Sequence, residues 1–165
     1  MQREPVVAFI ALGANLGDAA QTVTQAMANL ALLPQTKLLK ASGLHHSKAI
    51  NDFPNVESAQ HPSPDYLNAV ALIETRLNAY ELLAALQAQE DGAGRERPYR
   101  HAPRTLDLDI IFYGSASIAS PTLTVPHPRW AQRDFVTIPL RELVQALEKT
   151  VTLPLFDKFQ RSPQP

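Results

Sequence analysis

The 165-residue sequence contains no cysteine. It therefore has no disulfide bond, no thiolate zinc site and no cysteine nucleophile, and it is compatible with a cytoplasmic location. Long hydrophobic runs are also missing, because the longest early one, Val6 to Leu12, is too short to span a bilayer. Arg3 and Glu4 are atypical of the start of a signal peptide. We expect a cytoplasmic protein without membrane contact.

The sequence has little net charge, since 15 lysines and arginines almost balance 16 aspartates and glutamates. A net charge of −1 disfavours general binding to nucleic acid or to a membrane surface. The hydrophobic content of 45% and the charged content of 19% are typical of globular proteins. We predict one monomeric domain over residues 1–165, with its core at about 6–155 and a frayed tail at 156–165.

Capping boxes mark the start of two predicted helices, because a polar side chain is followed three residues later by Glu or Gln. The boxes are Asp18 with Gln21 and Asn78 with Glu81. We expect the first helix to end before Pro34 and the second near Asp91. A third helix is predicted at 139–147.

Apolar runs and alternation predict the strands. They are 6–12, 36–44, 66–75, a fourth that follows Arg104 and ends at Tyr113, and a closing strand at 151–155. His45 to Pro64 reads as a polar loop with solvated histidines. The order β-α-β-β-α-β with a carboxy-terminal addition predicts an α+β, ferredoxin-like fold: a mostly antiparallel sheet with both helices on one face. The other face is expected to be open to a ligand.

The strand after Arg104 carries the strongest chemical signal. Asp107 and Asp109 alternate with apolar residues, so both carboxylates lie on one face of the strand. The apolar residues predicted for the opposite face are Leu106, Leu108, Ile110 and Phe112. Ile111 and Tyr113 make the far half of the carboxylate face apolar as well.

Two carboxylates at this spacing lie roughly 6–7 Å apart and repel each other unless a cation lies between them. Mg²⁺ suits this position when a phosphate shares its coordination. Arg95, Arg97, Arg100 and Arg104 precede the strand and match the requirements of a polyphosphate. An exposed Asp-x-Asp is often merely solvated, but aspartate is disfavoured in strands, and the arginines favour a metal–phosphate site.

Four segments combine into a recognisable pattern. They are Ala-Leu-Gly-Ala-Asn-Leu-Gly at 11–17, Asp-Tyr-Leu-Asn-Ala at 65–69, Pro-Arg-Thr-Leu-Asp-Leu-Asp-Ile at 103–110, and Val-Pro-His-Pro at 125–128 with Arg133 and Phe135 beyond it. From about Val6 to Leu143 the chain resembles the 6-hydroxymethyl-7,8-dihydropterin pyrophosphokinases of folate biosynthesis. The resemblance implies transfer of pyrophosphate from ATP to the pterin hydroxymethyl group, leaving AMP, with two Mg²⁺ ions.

The resemblance also implies roles for individual residues. Asp107 and Asp109 match the metal ligands and, with Arg95 and Arg104, form the implied catalytic group. The implied ATP contacts are Leu83, Glu90, Arg95, Arg97, Arg104, Ile110, Leu123, His127 and Arg133. The implied pterin contacts are Ser47, Tyr66, Asn68 and Phe135, with the two aromatic rings on either side of the pterin bicycle. The chain departs from the common pattern at Lys48, where proline is frequent, and at His101 and Pro128.

Two other functions stay open on the sequence. One is a non-catalytic ferredoxin-like module that binds a nucleotide or single-stranded RNA. The acidic pair on the expected open face and the net charge disfavour RNA. The other is a degenerate relative that binds pterin without turnover, which the presence of Asp107, Asp109 and Arg104 disfavours.

Overall fold

The computed structural model describes residues 3–15, 17–48, 65–93 and 106–148. Its elements in chain order are β1 (Val6–Ala14), α1 (Ala19–Leu30), β2 (Thr36–Ala41), β3 (His45–Ser47), β4 (Tyr66–Thr75), α2 (Ala79–Gly92), β5 (Asp107–Tyr113), β6 (Ile118–Ala119), β7 (Thr124–Val125), a 3₁₀ turn (Trp130–Gln132) and α3 (Asp134–Glu148). The predicted closing strand, the tail and the arginine-rich loop lie outside these ranges. No helix in the described part of the chain is long and apolar enough to cross a membrane.

The main sheet has the strand order β2-β4-β1-β5, and β3 pairs with β4 as well. Every pairing in it is antiparallel. The first strand is therefore central, between the strands that precede and follow α2, which is the ferredoxin-like α+β arrangement that the element order predicts. β6 and β7 form a separate two-stranded ribbon.

The helix starts agree with the capping predictions. The Asp18 side chain accepts a hydrogen bond from the Gln21 backbone N–H at 3.1 Å. Asn78 Oδ1 accepts one from the Glu81 N–H at 2.8 Å, and the Glu81 carboxylate in turn contacts the Asn78 amide. Both caps involve residues within one turn, so the local sequence is sufficient to place them.

The sheet has an apolar core on each face. α1 and α2 cover one face, as predicted, around buried residues such as Ile10, Ile73 and Leu82. α3 packs on part of the other face, which corrects the expectation that this face is fully open. The reason is visible in the strands, because Phe9 and Leu72 on this second face are almost fully buried and need an apolar cover.

α3 starts earlier than predicted, at Asp134, and Pro139 lies inside it. Proline cannot donate the backbone hydrogen bond that a helix interior requires, so Pro139 is costly at this position. The buried Val136, Leu140 and Leu143 lie on the side of α3 that faces the sheet. Burial of this apolar stripe outweighs the local cost of the proline.

β5 contains a bulge that changes the predicted alternation. The β1 partners of Ile110 and Phe112 are consecutive, so Ile111 is an additional residue in β5. Ile111 and Phe112 consequently both enter the core under α3, and Tyr113 turns toward the core under α1 and α2. The predicted faces are correct through Ile111 and wrong for Phe112 and Tyr113.

The structure also corrects the segment between β2 and β4. The strand predicted over 36–44 ends at Ala41, and β3 begins at His45 inside the predicted loop. His45 is half-buried and its Nε2 contacts the Glu142 carboxylate of α3. The prediction of a solvated side chain is therefore wrong for His45, because its partner is 97 residues away in the sequence.

We expect replacement of Tyr113 by phenylalanine to lower the free energy of unfolding by about 1–2 kcal/mol. The Tyr113 hydroxyl donates a buried hydrogen bond to the Leu77 carbonyl at 2.5 Å, and its loss leaves that acceptor unsatisfied. Urea unfolding measures the change. The matched control is Tyr80→Phe, because the Tyr80 hydroxyl donates to Ser120 Oγ at the surface. Equal losses of unfolding free energy in both variants would show that the buried hydrogen bond of Tyr113 stabilises the fold no more than the surface bond of Tyr80.

Candidate active site

A cavity of about 320 Å³ opens on the part of the second sheet face that α3 leaves uncovered. β1, β3, β4, β5 and the segment that leads into α3 all contribute to it. The lining residues are Ala11, Leu12, Gly13, Ser47, Lys48, Tyr66, Asn68, Asp107, Asp109, Arg129, Gln132, Arg133 and Phe135.

The strand register builds the floor of this cavity. Gly13 in the central strand lies opposite Asn68 in β4 and opposite Asp107 in β5. Residues directly opposite each other in an antiparallel sheet share a face, so the three form one row. A Cβ atom at Gly13 would lie 3.1 Å from Asn68 Oδ1 and 3.9 Å from the Tyr66 ring. The missing side chain of Gly13 therefore keeps the middle of the row open.

Asp107 and Asp109 form the acidic wall of the cavity, as the alternation predicts. Asp107 is half-buried, and Asp109 is exposed and lies opposite Ala11. Within the described ranges, no group of three or more His, Asp or Glu side chains could hold a metal ion. Two carboxylates fit Mg²⁺ when other oxygen ligands come from water or phosphate, because Mg²⁺ usually keeps such ligands in proteins.

His127 lies near Asp109, and a backbone hydrogen bond to the bulged residue of β5 positions it there. Its backbone N–H donates to the carbonyl of the extra residue, Ile111, at 3.0 Å. Its ring Nδ1 accepts from the Arg129 N–H at 3.1 Å, so the neutral ring carries its proton on Nε2. The pKa of His127 is lowered, and partial burial is the largest cause. The negative charge of Asp109 opposes this shift, and the positive charges of Arg133 and Arg129 add to it. The neutral ring can therefore donate from Nε2 to an oxygen atom.

Asn68 is 4% exposed, and β3 determines how its amide is oriented. Its Nδ2 donates to Ser47 Oγ at 2.7 Å and, more weakly, to the His45 carbonyl at 3.4 Å. With Nδ2 directed at β3, Oδ1 is directed at the floor above Gly13. The cavity thus contains a buried hydrogen-bond acceptor with a defined direction.

Half-buried aromatic rings from β4 and α3 complete the walls. Tyr66 and Phe135 both line the cavity, and Phe135 also packs against the core under α3. The Arg133 guanidinium carbon lies 5.4 Å from the centroid of the Phe135 ring. This cation–π contact places a positive charge at the mouth of the cavity.

The structure brings together seven of the residues that sequence analysis assigned to the site. They are Ser47, Tyr66, Asn68, Asp107, Asp109, Arg133 and Phe135. The three residues matched to the adenine lie elsewhere: Ile110 and Leu123 are buried in the core under α1 and α2, and Leu83 packs against that core. Glu90 is half-buried in α2. Arg95, Arg97 and Arg104 lie outside the described residues.

Six other lining residues had no predicted role. Two of them, Ala11 and Leu12, are apolar residues of β1, and the others are Gly13, Lys48, Arg129 and Gln132. A glycine inside a strand is a signal of close approach by a ligand or another chain, and Gly13 could have been found in this way. Lys48, Arg129 and Gln132 belong to no periodic pattern, because they lie outside the strands and the α-helices.

Comparisons with known proteins show the family of this chain. A model of the family described as 7,8-dihydro-6-hydroxymethylpterin-pyrophosphokinase (HPPK) matches residues 9–145. A 2-amino-4-hydroxy-6-hydroxymethyldihydropteridine pyrophosphokinase from Haemophilus influenzae is 39% identical over 142 residues, covering 86% of this chain and 84% of that protein. The Bacillus subtilis protein of the same name is 36% identical over 146 residues, covering 88% of this chain and 83% of that protein.

The fold has a solved counterpart as well. A crystal structure of HPPK-DHPS from Plasmodium falciparum with pteroate superposes with a TM-score of 0.63 at 12% identity. The match covers 87% of this chain and 40% of that longer chain. At this low identity the likeness shows the same fold.

An antiparallel α+β sheet with a carboxylate pair beside an aromatic-walled cavity is an arrangement that suits a metal-assisted phosphoryl-type transferase. The chain belongs to the 7,8-dihydro-6-hydroxymethylpterin-pyrophosphokinase family. This family transfers pyrophosphate from ATP to hydroxymethyldihydropterin in folate biosynthesis and uses ATP with Mg²⁺. The activity predicted from the sequence is confirmed.

Proposed function

We propose that the pterin lies over Gly13, with its polar edge at Asn68 and its hydroxymethyl group toward Asp107 and Asp109. The observation that carries this proposal is the row formed by Asp107, Gly13 and Asn68 across three strands. A flat substrate over the glycine would reach the amide at one end and the carboxylates at the other. Positioning of this kind is a major part of catalysis of phosphoryl-type transfer.

The proposed pterin contacts use the shape and polarity of the cavity. Its volume of about 320 Å³ is at the small end of ligand pockets, which is suitable for a bicyclic heterocycle. Tyr66 and Phe135 provide aromatic surfaces for stacking. Asn68 Oδ1 accepts a hydrogen bond from an N–H group of the pterin, and Ser47 keeps the amide in this orientation.

We assign Asp107 and Asp109 as ligands of two Mg²⁺ ions in the presence of ATP. When bound, Mg²⁺ neutralises charge on the polyphosphate and on the attacking oxygen. The protein contributes donors near the carboxylates: neutral His127 through Nε2, and Arg133 and Arg129 through their guanidinium groups. These groups are suited to hold phosphate oxygens as charge moves toward the departing AMP.

The remaining ATP contacts rest on the resemblance. They are Leu83, Glu90, Ile110 and Leu123, together with Arg95, Arg97 and Arg104 outside the described residues. Arg95 and Arg104 would act with the carboxylates by stabilising negative charge on the transferred group.

The proposed reaction is tested by its nucleotide product. We expect AMP, and no ADP, when the protein is mixed with ATP, Mg²⁺ and 6-hydroxymethyl-7,8-dihydropterin. The control is the 6-methyl analogue, which has no hydroxyl group to attack and should yield no AMP. Formation of ADP would contradict pyrophosphoryl transfer, and pterin binding without any product would identify a degenerate relative.

We further propose that the protein acts as a cytoplasmic monomer and that residues 1–165 form one domain. The family model spans residues 9–145, which is most of the sequence and supports a single domain. The cytoplasm supplies ATP. Light scattering after size exclusion measures the mass, and a dimer that dissociates only with loss of activity would contradict the monomer.

A further inference from the structure

The chain between β2 and β3 is held by a side chain of α3. One carboxylate oxygen of Glu142 accepts a hydrogen bond from the Gly43 N–H at 3.1 Å. The other oxygen contacts Nε2 of His45, two residues further on. A single carboxylate therefore fixes both sides of Leu44, at the point where the chain enters β3.

β3 carries both groups that orient Asn68. It has three residues, and it pairs with the start of β4, where His45 lies opposite Asn68 and Ser47 opposite Tyr66. The acceptors for Asn68 Nδ2 are Ser47 Oγ at 2.7 Å and the His45 carbonyl at 3.4 Å. A displacement of β3 would therefore release the amide whose Oδ1 faces the cavity floor.

Such a short strand depends on contacts beyond its own ladder, because a few backbone hydrogen bonds give little stability. The hydrogen bonds from His45 and Gly43 hold the pKa of Glu142 below its usual range, so this group is a carboxylate at neutral pH. Its side chain is 47% exposed, and an ion pair at that exposure contributes little to global stability. The effect of Glu142 should consequently be local to β3.

We propose that Glu142 is a positioning residue for the pterin: it holds β3 through Gly43 and His45, and thereby keeps the Asn68 amide oriented for the substrate. Glu142 does not touch the substrate in this scheme. The inference rests on the proposed pterin contact of Asn68. It extends the site along α3 from Phe135, which lines the cavity, to Glu142.

The test compares the dissociation constants of the pterin and of a non-hydrolysable ATP analogue with Mg²⁺. In Glu142→Ala we expect the pterin constant to rise about three- to fivefold while the nucleotide constant stays unchanged. Glu142→Gln should restore pterin binding, because its amide oxygen can accept from the Gly43 N–H while its amide nitrogen stays within hydrogen-bond reach of the His45 ring. Glu148→Ala, an exposed acid at the end of the same helix, should bind both ligands normally.

A double-mutant cycle between Glu142 and Ser47 of β3 distinguishes the positioning role from a general loss of structure. In a Ser47→Ala background the effect of Glu142→Ala on pterin binding should shrink, because the contact that it positions is already missing. Equal weakening of both ligands, or full additivity with Ser47→Ala, would overturn the proposal.

Asn68→Ala tests the proposed pterin contact of Asn68 separately from the proposed positioning role of Glu142. If it weakens pterin binding and Glu142→Ala does not, the positioning role is wrong and the proposed pterin contact stands. If Asn68→Ala has no effect on pterin binding, the proposed contact fails, and the positioning role fails with it.

Discussion

Replacing Asp109 by asparagine is expected to lower kcat for AMP formation by at least about a thousandfold, and Asp107→Asn should act similarly. Both carboxylates line the cavity on the same face of β5. Asparagine keeps the shape of the side chain but removes the negative charge that holds a hard cation. The pterin-dependent AMP assay measures the loss.

The fold of the Asp109→Asn variant should be intact. Asp109 is exposed, and removing one of two neighbouring like charges relieves repulsion in the metal-free protein. Thermal unfolding checks this expectation. The matched control is Glu74→Gln, which removes a carboxylate from the same sheet at the far end of β4 and should keep full activity. A kcat above about a tenth of the wild-type value in Asp109→Asn would contradict the metal-ligand role.

Adding one methyl group at Gly13 is expected to raise the dissociation constant of the pterin about tenfold to a hundredfold. The new Cβ would lie 3.1 Å from Asn68 Oδ1, which is too close for the amide to keep its position. It would also occupy the floor on which we place the substrate. Binding of an ATP analogue should change much less, so titrations with the two ligands separate a blocked floor from misfolding.

The control for Gly13→Ala is Gly92→Ala, which adds the same atoms at the last residue of α2, where nothing lies within 4 Å of the new Cβ. This variant should bind both ligands as the wild type does. Unchanged pterin binding in Gly13→Ala would place the substrate elsewhere in the cavity.

Local sequence was sufficient for the elements whose determinants lie within a few residues. β4 has the predicted bounds, 66–75, because it contains a continuous apolar run from Ala69 to Ile73. The starts of α1 and α2 follow from caps that close within one turn. The predicted start of α3 and the predicted end of β2 were less accurate. Burial against the sheet determines where α3 starts, and Glu142 holds the chain at Gly43 and His45, just after β2.

Part of the site was also predictable. Alternation alone places Asp107 with Asp109, and Tyr66 with Asn68, on common faces of their strands. The resemblance supplied the reaction, which the family match confirms. Alternation failed beyond Ile111, since the bulge at this residue depends on how β5 packs between two cores.

The sequence by itself determined the reaction class, the strand that carries the two carboxylates and the element order of the fold, because motifs and periodicity are written in neighbouring residues. Tertiary structure alone decided which residues meet. It forms the row of Asp107, Gly13 and Asn68, packs α3 on the second face of the sheet, and brings Glu142 into contact with Gly43 and His45. These contacts join residues far apart in the chain, and their register is determined when strands and helices pack and bury their apolar faces. No local pattern contains that information.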